Sequence, residues 1–240
     1  MAENFSINNN GVKKQKQFVH DMLMFELPKL TRTLINGNRF YSTPDGKKYP
    51  SITTVVGFHK KQNILAWRRR VGEEEANRIS RESASRGTKI HTMCENYLKN
   101  KPDYTDGHED EHISMFNQFQ SAVDRINNIK CQEMSLYSDQ LAVAGTVDCI
   151  AEFDGKLSVI DFKTKRREIK PEWAEDHFMQ CAGYGTMWEE HTKLPIEQLV
   201  VLVTTATGNC QIFIEDKDSY KNIRVPQLQS LINEFNSANN

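Results

Sequence analysis

The segment from Gly145 to Lys165 carries two carboxylic acids and an ammonium at spacings that suit metal-assisted hydrolysis. It reads Gly145-Thr-Val-Asp148-Cys-Ile-Ala-Glu-Phe-Asp154-Gly155-Lys-Leu-Ser-Val-Ile-Asp161-Phe162-Lys163-Thr-Lys165. Asp154-Gly155 between two apolar runs is a strong type I′ hairpin signal. With those two residues as the loop, Phe153 faces Lys156, and counting back puts Asp148 opposite Asp161. Facing residues in an antiparallel pair hold their Cβ atoms roughly 5 Å apart. Two carboxylates so placed repel, and a cation between them relieves the repulsion. A hard divalent ion such as Mg²⁺ takes oxygen ligands, commonly one or two of them protein carboxylates. It can polarise a phosphoryl oxygen and acidify a water molecule. Side chains alternate along a strand, so Lys163 shares the face of Asp161 and can orient water or offset charge building in a transition state. Val159 and Ile150 flank the acids on the same faces, which implies partial burial, where unpaired charge is expensive.

Three further groupings surround this segment. His91 and Glu95 fall at i and i+4 in Arg86-Gly-Thr-Lys-Ile-His91-Thr-Met-Cys-Glu95 and share a helix face. Imidazole and carboxylate can extend a metal site, although such a pair alone is a common surface contact. Gln180 and Tyr184 have the same spacing, and both can hydrogen-bond a phosphate or sugar. Basic residues cluster at Trp67-Arg-Arg-Arg70 and at Lys163-Thr-Lys165-Arg166-Arg167, the second cluster running straight off the acid-bearing strand. Arg and Lys suit a phosphate backbone, and Tyr49, Trp67 and Trp173 are candidates for stacking on bases.

The elements that must position these groups follow from pattern. An Asn-rich tail reaches about Val12, and Lys13 to Leu34 is expected to be helical as far as Pro28. Arg39 to Thr53 reads as a small hairpin around Pro44-Asp-Gly46. Helices are expected over Gln62–Ser83, Thr88–Leu98 and Glu111–Ile129, the last with Met115, Phe119, Ala122 and Ile126 at helical spacing. Strands follow at Glu133–Tyr137, Ala142–Phe153 and Leu157–Lys163. A helix over Glu172–Glu190, strands Gln198–Thr205 and Asn209–Glu215, and a helix over Ser219–Phe235 complete the order. The class is mixed α/β, α+β-like, with residues 1–38 a tail and helical arm and residues 39–240 a single domain. The net charge of −1 gives no global basic field, and no apolar run approaches the length of a membrane span. The start of the chain carries no targeting pattern, so a cytoplasmic protein is expected. Five scattered cysteines, Cys94, Cys131, Cys149, Cys181 and Cys210, form no C-x-x-C pair and read as packed thiols.

Taken in order, these motifs resemble the PD-(D/E)XK nuclease superfamily, and within it the RecB-like exonuclease branch. The acid followed by acid-x-lysine matches Asp148 and Asp161-Phe162-Lys163, the branch's upstream histidine matches His91, and its Q-x-x-x-Y motif matches Gln180 and Tyr184. Tyr49-Pro-Ser51-Ile-Thr53 resembles a motif near the start of such domains, and Gly145-Thr-Val-Asp148-Cys149 a segment of the branch's mitochondrial members. The resemblance implies a restriction-endonuclease-like core, a central mixed sheet flanked by helices with an N-terminal helical elaboration. It also implies a Mg²⁺- or Mn²⁺-dependent deoxyribonuclease acting in replication, recombination, repair or genome degradation. His91, Asp148, Asp161 and the Phe162 carbonyl would bind metal, with Lys163 the catalytic lysine. Gln180, Tyr184, Ser51, Thr53, Arg86, Lys165 and Arg166 would contact DNA, and Glu95 would stand behind the ligands. Single-stranded DNA or free DNA ends are the expected substrate. The four cysteines that hold an iron–sulfur cluster in some relatives are not spaced that way here, so no cluster is expected. The missing targeting pattern favours a bacterial or phage enzyme. An endonuclease of the same superfamily, or a DNA-binding subunit without catalysis, stays open at this point.

Overall fold

The computed structural model describes residues 15–21, 26–35 and 37–239. A three-stranded antiparallel sheet comes first: β1 (Thr31–Ile35), β2 (Asn38–Ser42) and β3 (Lys48–Pro50). Helices α1 (Ile52–Gly57), α2 (Lys61–Val71), α3 (Glu73–Leu98) and α4 (Asp110–Val123) follow. The central sheet is built from β4 (Ile126–Ser138), β5 (Val143–Phe153), β6 (Lys156–Lys165), β7 (Gln198–Thr205) and β8 (Cys210–Asp216), adjacent in that order. Only β6 and β7 pair in parallel, joined by the crossover helix α5 (Glu175–Thr192). A single turn α6 (Lys217–Ser219) leads through a π-helical turn into α7 (Val225–Asn239). This is the mixed sheet flanked by helices that the sequence implied.

Two hydrophobic layers sandwich the sheet. Beneath α5 and α7, Val159, Leu199, Val201 and Val203 pack with Tyr184, Trp188, Leu228 and Ile232. Beneath α3 and α4, Cys149, Ile160, Phe162, Val200 and Leu202 pack with Ile90, Met93, Phe116 and Phe119. Strand β7 is buried along its whole length, the unbroken apolar pattern of a strand covered on both faces. Four of the five cysteines are buried among these residues and the fifth is half-buried, as packed thiols should be.

Several element boundaries differ from expectation. The tail to Val12 lies outside the described residues. No helix forms within the described part of Lys13–Pro28. Instead His20 bridges to Ile129 beside β4, and Phe18 enters the core. The helix expected across Gln62–Ser83 breaks at Gly72, whose φ of +86° is open to glycine but costly for other residues. The chain restarts there as α3, which runs 26 residues and absorbs the second expected helix. Glu73, Glu74 and Glu75 in its first turn complement the positive end of the helix dipole. Helix α4 stops at Val123, and Ile126, though at helical spacing, opens β4 opposite Phe153. No helix among the described residues is long and apolar enough to cross a membrane.

Candidate active site

The β5–β6 hairpin forms as its turn residues dictate. Asp154 and Gly155 adopt φ of +52° and +78°, and the register runs from Phe153↔Lys156 to Cys149↔Ile160. The next row would pair Asp148 with Asp161, and there the ladder stops. Asp148 turns its carboxylate onto the neighbouring backbone instead, its Oδ2 accepting from the Phe162 N–H at 2.8 Å. Asp161, Phe162 and Lys163 continue on β6, held from the other side by regular pairing to Val201, Leu202 and Val203.

The same row is irregular on β4. Gln132↔Cys149 and Met134↔Val147 bracket Glu133 and Asp148, which therefore stand across from each other without a paired row of their own. Glu133 has φ of +47°, a left-handed conformation that costs a residue with a Cβ about 1–2 kcal/mol. Facing changes phase here too. Val143 and Val147 pack under α5, whereas Cys149 and Ala151 pack under α3 and α4. On β4, Cys131 and Met134, three apart, pack on the same side. Strict alternation forbids both patterns, so each strand changes facing at this row, while the pairing register is the same on either side of it.

His91 reaches this row from α3. Its Nε2 lies 2.8 Å from the Phe162 carbonyl oxygen, which can only accept, so that nitrogen carries the proton. Its Nδ1 faces Asp148 Oδ1 at 3.7 Å and Glu133 Oε1 at 4.0 Å. His91, Glu133 and Asp148 each offer one donor atom within 4.8 Å of the others. Asp161 is 1% exposed; its Oδ1 accepts from Lys163 Nζ at 2.6 Å, while its Oδ2 is buried without a hydrogen-bond partner. Burial pushes the Asp161 carboxyl up, Lys163 pulls it back and Asp148 adds to the rise. Burial alone would lower Lys163, but Asp161 and Asp148 outweigh it and hold the ammonium above its ordinary value. Glu133 is pushed up to about 7, by burial first and by Asp148 next. A buried carboxylate oxygen with no donor, beside imidazole and further carboxylates, is the donor chemistry a hard divalent cation satisfies.

Gln180 and Tyr184 project from α5, and the Gln180 amide donates to the Tyr184 hydroxyl at 3.1 Å. Tyr184 is 1% exposed, which rules out the base stacking its ring could otherwise offer. It lies against Gly145, where a Cβ would come within 2.8 Å of its ring. One turn before Gln180, half-buried His177 is lowered to about 3 by desolvation. Ser51 is buried, bridges to Ala144 beside Gly145 and meets the Thr53 hydroxyl at 2.5 Å. Arg86 lies on α3 beside Gly87, which faces Thr164 of β6; its Nε is buried and unpartnered. Burial, then Lys163 and Lys60, lowers Lys165, and Arg166 is exposed close enough to Glu75 of α3 to bias its carboxyl. Glu95 is engaged by Lys99 and stands outside the three-donor group. Of the stacking candidates, Tyr49 is committed to Tyr137 and Asp139, whereas Trp173 is exposed. Glu133 escaped the sequence reading, since one glutamate on a strand carries no spacing signal. Only its position fifteen residues ahead of Asp148, across a hairpin, hints at it.

A family model for the PD-(D/E)XK nuclease superfamily matches residues 109–233, just over half of the chain. Mitochondrial genome maintenance exonuclease 1 from Homo sapiens is 27% identical over 129 residues, covering 49% of this chain and 37% of that protein. The Mus musculus protein is 30% identical over 81 residues, covering 34% and 24%. The chain thus matches well under half the length of these curated relatives. A crystal structure from Eubacterium rectale, described as a candidate exonuclease, overlays with a TM-score of 0.38 at 9% identity, over 63% of this chain and 68% of that one. The matched span contains Asp148, Asp161, Lys163, Gln180 and Tyr184 in motif order, and the chain belongs to the PD-(D/E)XK nuclease superfamily.

Proposed function

We propose that this chain is a divalent-metal-dependent DNA exonuclease that favours single-stranded ends. The observation that carries the reading is the convergence of His91, Asp148, the Phe162 carbonyl and the Asp161–Lys163 pair where β5 and β6 part. His91, Asp148, Asp161 and the Phe162 carbonyl are the residues that would hold the ion, which is Mg²⁺ or Mn²⁺. Phe162 O has a second lone pair beyond the one used by His91, and Asp161 Oδ2 is unpartnered. When bound, the cation polarises a phosphoryl oxygen and makes water a better nucleophile.

The chain's own groups do the rest. Lys163, whose ammonium Asp161 and Asp148 favour in the metal-free protein, offsets charge on the phosphoryl oxygens as water adds and the ester bond breaks. Asp161 holds that ammonium in place. Gln180 and Tyr184 form a buried polar pair that positions the strand through the amide and the hydroxyl. Thr53, Arg86, Lys165 and Arg166 are offered to the approaching strand, with phosphate as their natural partner, and buried Ser51 acts through its hydrogen bond to Thr53.

The preference for single strands rests on the arm made by α2 and the first half of α3. Between Lys61 and Lys89 the chain carries eight basic side chains and four acidic ones. Three of those acids are already paired with Arg68 or Arg78, and Arg69, Arg70 and Arg81 make no ion pair among the described residues. No residue of α2 is buried. This basic arm leads directly into the helix that holds His91, where it can guide a flexible strand towards the site.

End-labelled and covalently closed single-stranded DNA, incubated with Mg²⁺, Mn²⁺ or a chelator, test the reading. Release of nucleotides from ends, with the closed circle intact and chelator inhibiting, is the expected result. Opening of the circle would make the protein an endonuclease. No cleavage of any DNA under any metal would leave a binding subunit.

A further inference from the structure

We infer that Glu133 is an additional ligand for the divalent cation, one this chain supplies from β4 outside the acid and acid-x-lysine motif. The inference rests on the metal-dependent reading above.

Three observations carry it. Glu133 Oε1, Asp148 Oδ1 and His91 Nδ1 face one another across gaps too wide for hydrogen bonds, at 3.7 Å and 4.0 Å from the nitrogen. Two ligands about 2.1 Å from one cation and roughly at right angles to each other are about 3 Å apart. The imidazole nitrogen therefore needs to approach each carboxylate by about an ångström or less, and the two carboxylates, within 4.8 Å of each other, by less than about two, to share an ion. Second, the Glu133 carboxylate, its side chain 39% exposed, accepts no hydrogen bond from a protein group among the described residues. It points at the cluster rather than at a lysine or arginine that would explain it; nearby Lys99 is taken by Glu95. Third, Glu133, Asp148 and Asp161 set three carboxyl groups against the single Lys163 ammonium, an excess of acid that a divalent ion offsets. The left-handed backbone at Glu133 keeps its carboxylate in the row of Asp148.

A purely structural Glu133 and a ligand Glu133 differ in a measurable way. In the metal-free protein a ligand carboxylate is repelled by its neighbours, so removing its charge should stabilise the fold. With metal, the same substitution should forfeit binding. Calorimetric titration of the full chain with Mn²⁺, alongside thermal melts with and without Mn²⁺, reads both effects. Glu133→Gln should melt higher than wild type without metal, gain less from Mn²⁺, and bind Mn²⁺ about tenfold or more weakly, since even groups that merely support ligands are worth about 10- to 100-fold. Glu133→Asn, a residue type that tolerates the left-handed backbone, should behave alike and serves if the first variant folds poorly. Asp148→Asn is the control. If it abolishes Mn²⁺ binding while both Glu133 variants bind as wild type does, Glu133 is not a ligand and the metal site stands. If wild type itself takes up no Mn²⁺, the metal-dependent reading falls with it.

Discussion

Asp161 and Lys163 stand on a strand paired without interruption to β7, whereas Glu133 and Asp148 stand on two strands that lose their pairing at those very positions. The regular side is buried on both faces, so its groups are fixed by packing, and their cost is desolvation. Asp161 is enclosed to 1% exposure and tolerates it through Lys163. On the irregular side, the unpaired row frees backbone and side-chain room, and the cost is conformational. Glu133 occupies a left-handed conformation, and Asp148 spends one oxygen on the Phe162 N–H. A site assembled from both obtains one rigid half and one adaptable half. That is a physical reason for placing the lysine on the first and imidazole-facing carboxylates on the second.

The comparison can be broken most directly on the rigid side. Asp161→Ala and Lys163→Ala should each lower DNA cleavage by on the order of 10²–10³ or more, while DNA retention in a gel-shift assay is largely kept. Leu202→Ala, at the parallel partner of Phe162 beside Lys163 on the regular sheet, should cost about 2–5 kcal/mol in urea unfolding. Gly145→Ala tests the seam between the halves. Its new Cβ would meet Tyr184 at 2.8 Å and Ile52 at 3.0 Å, an overpacking cost of about 1–3 kcal/mol, and cleavage should fall with the displaced tyrosine. The smallest effect is a pH slope. Glu133 has its folded pKa raised from 4.5 to about 7, so its contribution to metal-free stability is complete below pH 4.5 and declines as pH rises through about 7. His177 has the opposite sign: lowered from 6.5 to about 3, it makes the fold lose stability as pH falls across that interval. Thermal melts against pH should lose the first slope in Glu133→Gln and the second in His177→Asn. A Glu133→Gln curve that still declines between pH 4.5 and 7 would remove Glu133 from the strained half.

The two halves were also unequally legible. The turn at Asp154-Gly155, the register up to Cys149↔Ile160, the Asp161–Lys163 face and the Gln180–Tyr184 pair all follow from residues close in sequence, and each formed. Glu133 did not announce itself, because its placement depends on a register shift between Asn127 and Cys131 and on a left-handed turn of the backbone at Glu133 itself, neither marked by glycine. The final facing of Asp148 was hidden for the same cause: extrapolating a ladder by one row cannot reveal that the row is replaced by a side-chain contact. Ile126 shows another limit. Its spacing from Ala122 fits a helix, and its place in β4 is decided by Phe153 across the sheet. Gly72 was visible in the sequence as a lone glycine in a helical pattern, and its positive φ turned a tolerated residue into a hinge between helices.

Helix α3 is clamped over its last turns, where Ile90, Met93, Cys94, Tyr97 and Leu98 are buried, whereas over its first four only Ala76 is buried. From Glu73 to Ile90 the free length is roughly 26 Å at 1.5 Å per residue. It behaves as a cantilever with His91 mounted at the wall. A tilt of a few degrees would carry the tip through an ångström or two yet leave the imidazole almost where it was. Bending in the arm would therefore reach His91 only weakly, which separates the basic surface mechanically from the site within one continuous helix.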